Sequence, residues 1–386
     1  MLPKIKLLLI VMATACIFAI TLSLFEAGNV DAEKTAQTAK ISEKPSIVAL
    51  ATLMKNFQDS LSDELLTDAS FPLGHKESYS WTNVPARTDS NRGGIHFGVL
   101  SQEQLELFYT VLNAFLSDDG YRKASLITKK SEMPLSTIGP NFWNNSAYFI
   151  ALFGNPSTDG SWGFQLDGHH LALNFLVHGD EVSIVPAFIG TNPATVSGIA
   201  VLGEERGNAL TLRNSLNETQ SKKAVQTGAR RGLKVGPGNT TDPYLNYDYS
   251  DFEGIGLKAS DMTTAQKQTL QNLIKIYVYN LETEFADVWM KDVDAVMDDT
   301  YFVWIGGTTE NDPIYYRVFN PAVWIEFNDE GGGSTNHIHT ITRSPNGKDY
   351  GVFALNSGPK TLLHHYLLAD HHGEHKQITD YHIINP

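Results

Sequence analysis

Two short histidine motifs carry the strongest chemical signal in this 386-residue chain. One is the adjacent pair His169-His170, inside the run WGFQLDGHHLALNFLVHGDEVSIVPAF that spans residues 162–188. The other is His337-Ile338-His339. A neutral imidazole is the commonest protein ligand of transition metals, and its ordinary pKa also suits general acid–base work near neutral pH. Both motifs sit in stretches that read as β-strand, where successive side chains point to opposite faces. His337 and His339 therefore share a face, and Arg343 lies on the same side. His169 and His170 point opposite ways and cannot serve one ion unless the strand bulges, which Gly168 would permit. His170 shares its face with Asn174 and is the site candidate. His169 falls in line with Leu171, Leu173, Phe175 and Val177 and reads as a buried structural histidine.

A carboxylate is needed to complete such a set, and Glu326 lies across the hairpin that precedes His337. Directly opposed residues share a face. Pairing with an odd register sum places Glu326 with the two histidines, and an even sum places it on the other face. The odd case gives two imidazoles and a carboxylate on one pleated surface: His337, His339 and Glu326, with His170 as a fourth ligand or a proton shuttle. That set suits zinc with an open water position, and copper or iron are alternatives. Arg343 and Arg317 would hold an anionic group of a small-molecule substrate. Without a metal, the same residues would give a histidine base, an orienting glutamate and arginines for a developing anion, as acyl or phosphoryl hydrolysis requires. Against all of this, an H-x-H strand is also what two satisfied, partly buried histidines look like. No G-x-S-x-G elbow and no P-loop occurs in the chain. A rival cluster lies near the end, in His364, His365, His371, His372, His375 and His382. On a helix, His364, His371 and His375 would share a side, where they read as a loose surface metal site or a solvated face.

The elements that would position these residues follow from hydrophobic period. Leu171 to His178, the turn Gly179-Asp180 and Val182 to Pro186 read as a hairpin. Residues 141–154 read as a strand leading into it. Segments 301–307, 314–321, 322–329 and 336–343 read as an antiparallel series, with Gly331 to Gly333 bending between the last two. Apolar residues recur at helical spacing in Ile47, Leu50, Leu53, Met54 and Phe57, in Leu105, Phe108, Leu112 and Phe115, over 204–225, and most strongly over 263–291. Ser101 with Gln104 is a capping box, and Thr263 or Thr264 caps the last of these helices. Arg92, before Gly93 and Gly94, reads as a loop arginine or an anion contact. The Gly- and Tyr-rich segment 228–251 reads as a cover over a site or a long surface excursion. The pattern predicts an α+β fold with an antiparallel sheet core flanked by N-terminal and middle helices.

Residues 1–32 have the pattern of a secretory signal: Lys4 and Lys6, an apolar run from Leu7 to Phe25, and the small-residue site Val30-Asp31-Ala32. A retained anchor is the alternative, since the run is long enough to span a bilayer. Residues 33–45 read as a flexible linker and 46–386 as one domain of mixed structure. Cys16 is the only cysteine. The exported form would therefore lack disulfides, thiol catalysis and thiolate ligands, leaving His, Asp and Glu to bind metal. The formal charge of -14, with no basic run, argues against nucleic acid as a partner and against an anionic membrane surface.

The blocks WGFQLDGHHLALNFLV, VPAFIGTNPA, YFVWIGG, YYRVFNPAVWIEF, HIHTITR and HHY, in this order, resemble the uncharacterised secreted-protein family catalogued as domain of unknown function 3500. The similarity runs from about residue 47 onward. The resemblance implies the domain boundaries and, having no established reaction behind it, little chemistry. The chain departs from the family pattern after Asp349-Tyr350-Gly351, where it adds VFALNSGPK before Leu362. The functional expectation is thus a secreted or periplasmic metal-dependent enzyme, a hydrolase first. The alternatives are a copper or iron oxidoreductase and a non-catalytic metal- or anion-binding protein. After signal cleavage no stable membrane association is expected.

Overall fold

A computed structural model describes residues 45–85, 92–131, 145–228, 232–236, 252–331, 333–345 and 349–351, all within one compact unit, Pro45–Pro386. The signal-like segment, most of the linker and the C-terminal histidines lie outside the described residues. Among the described residues there are eight α-helices: α1 (Ile47–Ser60), α2 (Asp63–Ala69), α3 (Gln102–Phe115), α4 (Asp118–Leu126), α5 (Gly203–Ser215), α6 (Glu218–Ala224), α7 (Thr264–Val278) and α8 (Thr283–Ala295). Fourteen strands accompany them. The first seven are β1 (Ser70–Phe71), β2 (Ile95–His96), β3 (Phe149–Gly154), β4 (Ser161–Asp167), β5 (Leu171–His178), β6 (Glu181–Ser183) and β7 (Ala187–Thr191). The rest are β8 (Thr195–Val196), β9 (Ile199–Ala200), β10 (Leu257–Lys258), β11 (Tyr301–Gly306), β12 (Ile314–Phe319), β13 (Trp324–Asp329) and β14 (Ile338–Arg343).

Twelve strands form one open sheet in the order β1-β3-β4-β5-β7-β14-β13-β12-β11-β10, with β2 on β3 and β6 on β5. Every pairing is antiparallel except β1 with β3. The α+β expectation holds, and the sheet is mixed only through that edge pair. The predicted hairpin at Gly179-Asp180 is present, with Gly179 at φ 59°, the left-handed conformation a tight turn requires.

Helix periodicity located the helices but missed their breaks. The stretch 263–291 is two helices, interrupted from Tyr279 to Glu282. The break is held by a second break, between α3 and α4: Leu116 bridges Leu281, Ser117 N–H donates to the Asn280 carbonyl and Glu282 N–H donates to the Phe115 carbonyl. Likewise 204–225 divides where Asn217 caps α6 in a capping box with Gln220. The boxes at Ser101/Gln104 and Thr263/Gln266 are as expected.

The two faces of the sheet differ in kind. One carries Ile150, Leu152, Phe164, Leu166, Leu173, Phe175, Ile325 and Phe327, which pack with helix residues such as Phe57, Phe108, Phe115 and Ile274 in the main core. Phe164 and Phe175 stack at 4.3 Å and Phe115 meets both edge-on. The other face carries buried polar side chains, among them Gln165, Asn174, Arg317, Glu326 and Asn328. It is covered by irregular segments that contribute Trp81, Leu233, Val235 and Tyr350. A buried polar face costs free energy unless its groups are bonded. Here Gln165 donates to Asn174 at 2.6 Å and Trp81 donates to the Tyr350 hydroxyl at 2.6 Å.

Candidate metal centre

The histidines meet on this second face, at the middle of the sheet. β7 lies between β5 and β14, and Gly190 of β7 pairs with His339. The Gly190 N–H donates to the His170 carbonyl at 2.7 Å. Gly190 is also the floor on which two imidazoles rest. A Cβ added there would stand 3.0 Å from a ring carbon of His170 and 3.0 Å from one of His339. Only a residue without a side chain lets both rings close over the strand.

His337 Nε2 stands 3.1 Å from His170 Nε2 and 3.0 Å from His339 Nε2. The ring planes are nearly perpendicular, at 82° and 87°. A ring nitrogen presents either one hydrogen or one lone pair in its plane. His337 Nε2 can therefore make one well-directed hydrogen bond, and the second contact is at best a bent, shared one. A cation accepting all three lone pairs removes the conflict. Nitrogens held at about 2.0–2.1 Å by a tetrahedral ion stand about 3.3–3.4 Å apart, close to the His337 separations from His170 and from His339, whereas the His170 and His339 rings are themselves 5.6 Å apart.

His169 joins the group. One nitrogen each of His169, His170 and His337 lie within 4.8 Å of one another, and the His169 and His170 rings are 3.8 Å apart. The burial expected of this pair is reversed, while His170 keeps its place in the site. His170 is fully buried and His169 is half-exposed. The reason is local: β5 begins only at Leu171, so both histidines lie in the bend after Asp167 and escape strand alternation. Gly168 is required there because a Cβ would fall 2.2 Å from the Tyr148 ring.

The β13–β14 register is the odd one, with Glu326 opposite Ile341, so Glu326 does share the face of His339. It is nonetheless committed elsewhere. Its oxygens accept from Lys234 N–H at 2.6 Å, Val235 N–H at 3.0 Å, the Tyr315 hydroxyl at 2.7 Å and Trp324 Nε1 at 2.9 Å. Those bonds pin the covering segment 233–235 to the sheet. The carboxylate that meets the centre is Glu330, whose Oε1 is 3.4 Å from His339 Nδ1 and accepts from Asn328 Nδ2 at 2.6 Å. The hydrogen bond to His339, reinforced by its charge, holds the Glu330 carboxyl below the usual carboxylate range against the opposing effect of burial. Glu330 was legible in principle: the same odd register sets it opposite His337, and its N–H donates to the His337 carbonyl at 2.8 Å.

Arg343 is engaged as well, whereas Arg317 keeps a buried Nε without a hydrogen-bond partner among the described residues. Arg343 is buried, paired with Asp349 at 2.7 Å and donating to the Val235 carbonyl at 2.9 Å. Arg317 lies beneath aromatic rings, with its guanidinium carbon 5.1 Å from the Phe252 centroid, 4.9 Å from Phe319 and 5.0 Å from Trp324. Arg92, read as a loop residue, pairs instead with the buried Asp167 at 2.9 Å. Burial pushes the Asp167 carboxyl up to about 7, with Arg92 opposing the rise.

Among known protein families, the model described as a protein of unknown function (DUF3500) matches residues 43–352. No curated protein and no solved structure matches.

Proposed function

The chain belongs to the family of unknown function DUF3500, a membership that names no reaction, and from the geometry we propose a metal-dependent enzyme, a hydrolase, with zinc as the preferred ion. His169, His170 and His337, whose ring nitrogens lie within 4.8 Å of one another, are the proposed ligands, and His339, 3.0 Å from His337, is a fourth ligand or a proton acceptor. The observation that carries the reading is the convergence of ring nitrogens on His337 Nε2, with two imidazole nitrogens at 3.0–3.1 Å that one in-plane hydrogen would have to share. A neutral, all-imidazole donor set suits zinc and also copper or iron. When bound, zinc supplies Lewis acidity that activates water and polarises a substrate carbonyl or phosphoryl group. The protein's own part is to hold the rings over Gly190, to orient His339 through Glu330 and to exclude water from the buried side through His170. We further place the protein outside the cytoplasm, on the leader pattern of residues 1–32. Among the described residues no helix is long and apolar enough to cross a membrane.

Elemental analysis of protein purified without a polyhistidine tag tests this. About one equivalent of zinc, lost in His337→Ala, is expected, with hydrolysis of ester or amide substrates lost on chelation and restored by zinc. Copper or iron at the same stoichiometry moves the assignment to redox chemistry. Protein that stays metal-free on reconstitution, or an unchanged metal content in His337→Ala, overturns the centre; in the second case the C-terminal histidines become the place to look.

A further inference from the structure

Four lysine or arginine side chains are buried among the described residues: Lys123, Arg206, Arg317 and Arg343. Three of them have a carboxylate. Lys123 pairs with Glu205 at 2.6 Å, Arg206 with Asp329 at 2.8 Å and Arg343 with Asp349 at 2.7 Å. Arg317, 5% exposed, is the exception: among the described residues no carboxylate lies within ion-pairing distance of it, and its buried Nε has no hydrogen-bond partner. Its register partner on β13 is Glu326, but that carboxylate already accepts four bonds from other groups. The Tyr315 hydroxyl, close to Arg317, gives its proton to Glu326. A guanidinium does not shed its charge, so burying one without a counter-charge is costly. The rings of Phe252, Phe319 and Trp324 around it offset part of that cost through their π faces. A second cation stands at the same phenyl ring. Lys234 Nζ is 5.3 Å from the Phe252 centroid and the Arg317 guanidinium carbon 5.1 Å, and Lys234 too has no carboxylate within ion-pairing distance among the described residues. Two cations gathered at one ring repel each other.

We propose that Arg317 and Lys234 form an oxyanion-binding site, for the phosphate or carboxylate end of a small molecule, separate from the histidine centre. Paired oxygens match the guanidinium fork, and one negative group offsets both cations at once. An ammonium would add to the repulsion, and an uncharged group would leave it standing. The aromatic rings supply a water-poor wall that strengthens such a pair, and a surface for an apolar or aromatic body. In the sheet, Glu326 of β13 stands between Arg317 of β12 and β14, the strand of His339. The site therefore stands whether or not the histidines hold an ion. Of the two arginines expected from the sequence to hold an anionic group, Arg317 keeps that part, with Lys234 in place of Arg343.

The test is calorimetric titration, at constant ionic strength, of protein stripped of metal and dialysed free of chelator, with inorganic phosphate, benzoate and n-butylammonium. The expected result is saturable, one-site binding of phosphate or benzoate and no binding of the amine. Lys234→Ala should weaken it about tenfold, as loss of one charge-assisted contact predicts. Arg317→Met should abolish it, with circular dichroism reporting the fold. Lys234 is exposed, so its variant keeps the test decisive if Arg317→Met unfolds. Preference for phosphate assigns a phosphorylated ligand and preference for benzoate an aromatic carboxylate, and either supports the site. Absence of saturable oxyanion binding overturns the proposal and shows the guanidinium to be satisfied within the chain. So does binding of the amine alongside, or oxyanion binding that Lys234→Ala leaves unchanged. The same titration in His337→Ala tells the two sites apart: failure of the metal reading leaves oxyanion binding untouched, and oxyanion binding that vanishes with His337 overturns the separate site.

Discussion

Replacing Glu330 by Gln removes a charge and little else, which makes it the sharpest probe of how the centre is supported. Ligating histidines commonly give their second ring nitrogen to a carboxylate, which fixes the tautomer and raises the basicity of the other nitrogen. His339 has this arrangement, with Nδ1 toward Glu330 and Nε2 toward His337. Loss of such an outer partner typically lowers metal affinity 10–100-fold. The contact is 3.4 Å, beyond the usual 2.7–3.2 Å range, and the Glu330 side chain is 26% accessible, so water screens it. Both facts place the effect at the low end, about tenfold, or about 1.4 kcal/mol. The assay is competition for zinc against a chromophoric chelator, with circular dichroism to show that the variant is folded. A change under about twofold would refute an orienting role. A loss of about a thousandfold would refute it from the other side, since that magnitude belongs to a direct ligand.

Two further outcomes are expected. Gly190→Ala should cost zinc affinity at least as much as Glu330→Gln while leaving the melting transition within a few degrees, since the added methyl meets two ring carbons at 3.0 Å and a carbonyl oxygen at 2.9 Å; full zinc affinity would show that the rings are not seated as described. Arg343→Met should destabilise the fold by about 3–5 kcal/mol in urea unfolding, because it removes the cation that pairs with the buried carboxylate of Asp349; a stable variant with only a raised KM would return Arg343 to substrate binding.

Strand period carried far in this chain. The four C-terminal strands and the Gly179 turn follow from alternation, and the side of Glu326 follows once the β13–β14 register, which alternation leaves open, is known. The same arithmetic extended by two pairs reaches Glu330 at the hairpin end. His169 could not be read this way, since alternation fails in a bend and Tyr148, whose ring forces Gly168, is twenty residues away. Glu326 and Arg343 were drawn elsewhere by a covering segment whose landing point no local pattern specifies. The helix breaks at Leu116 and Leu281 hold each other across the fold, and a single helical stripe cannot show that.

His170 and His337 lie 167 positions apart and come together only across β7 and β14. A nascent chain emerging from the ribosome, or threading through an export channel, would present the first imidazole pair long before the second exists. If the histidines bind the proposed ion, capture at full strength must wait until the closing strand slots into the centre of the sheet. An unfinished or truncated chain would hold metal poorly, so occupancy itself would report that assembly is complete.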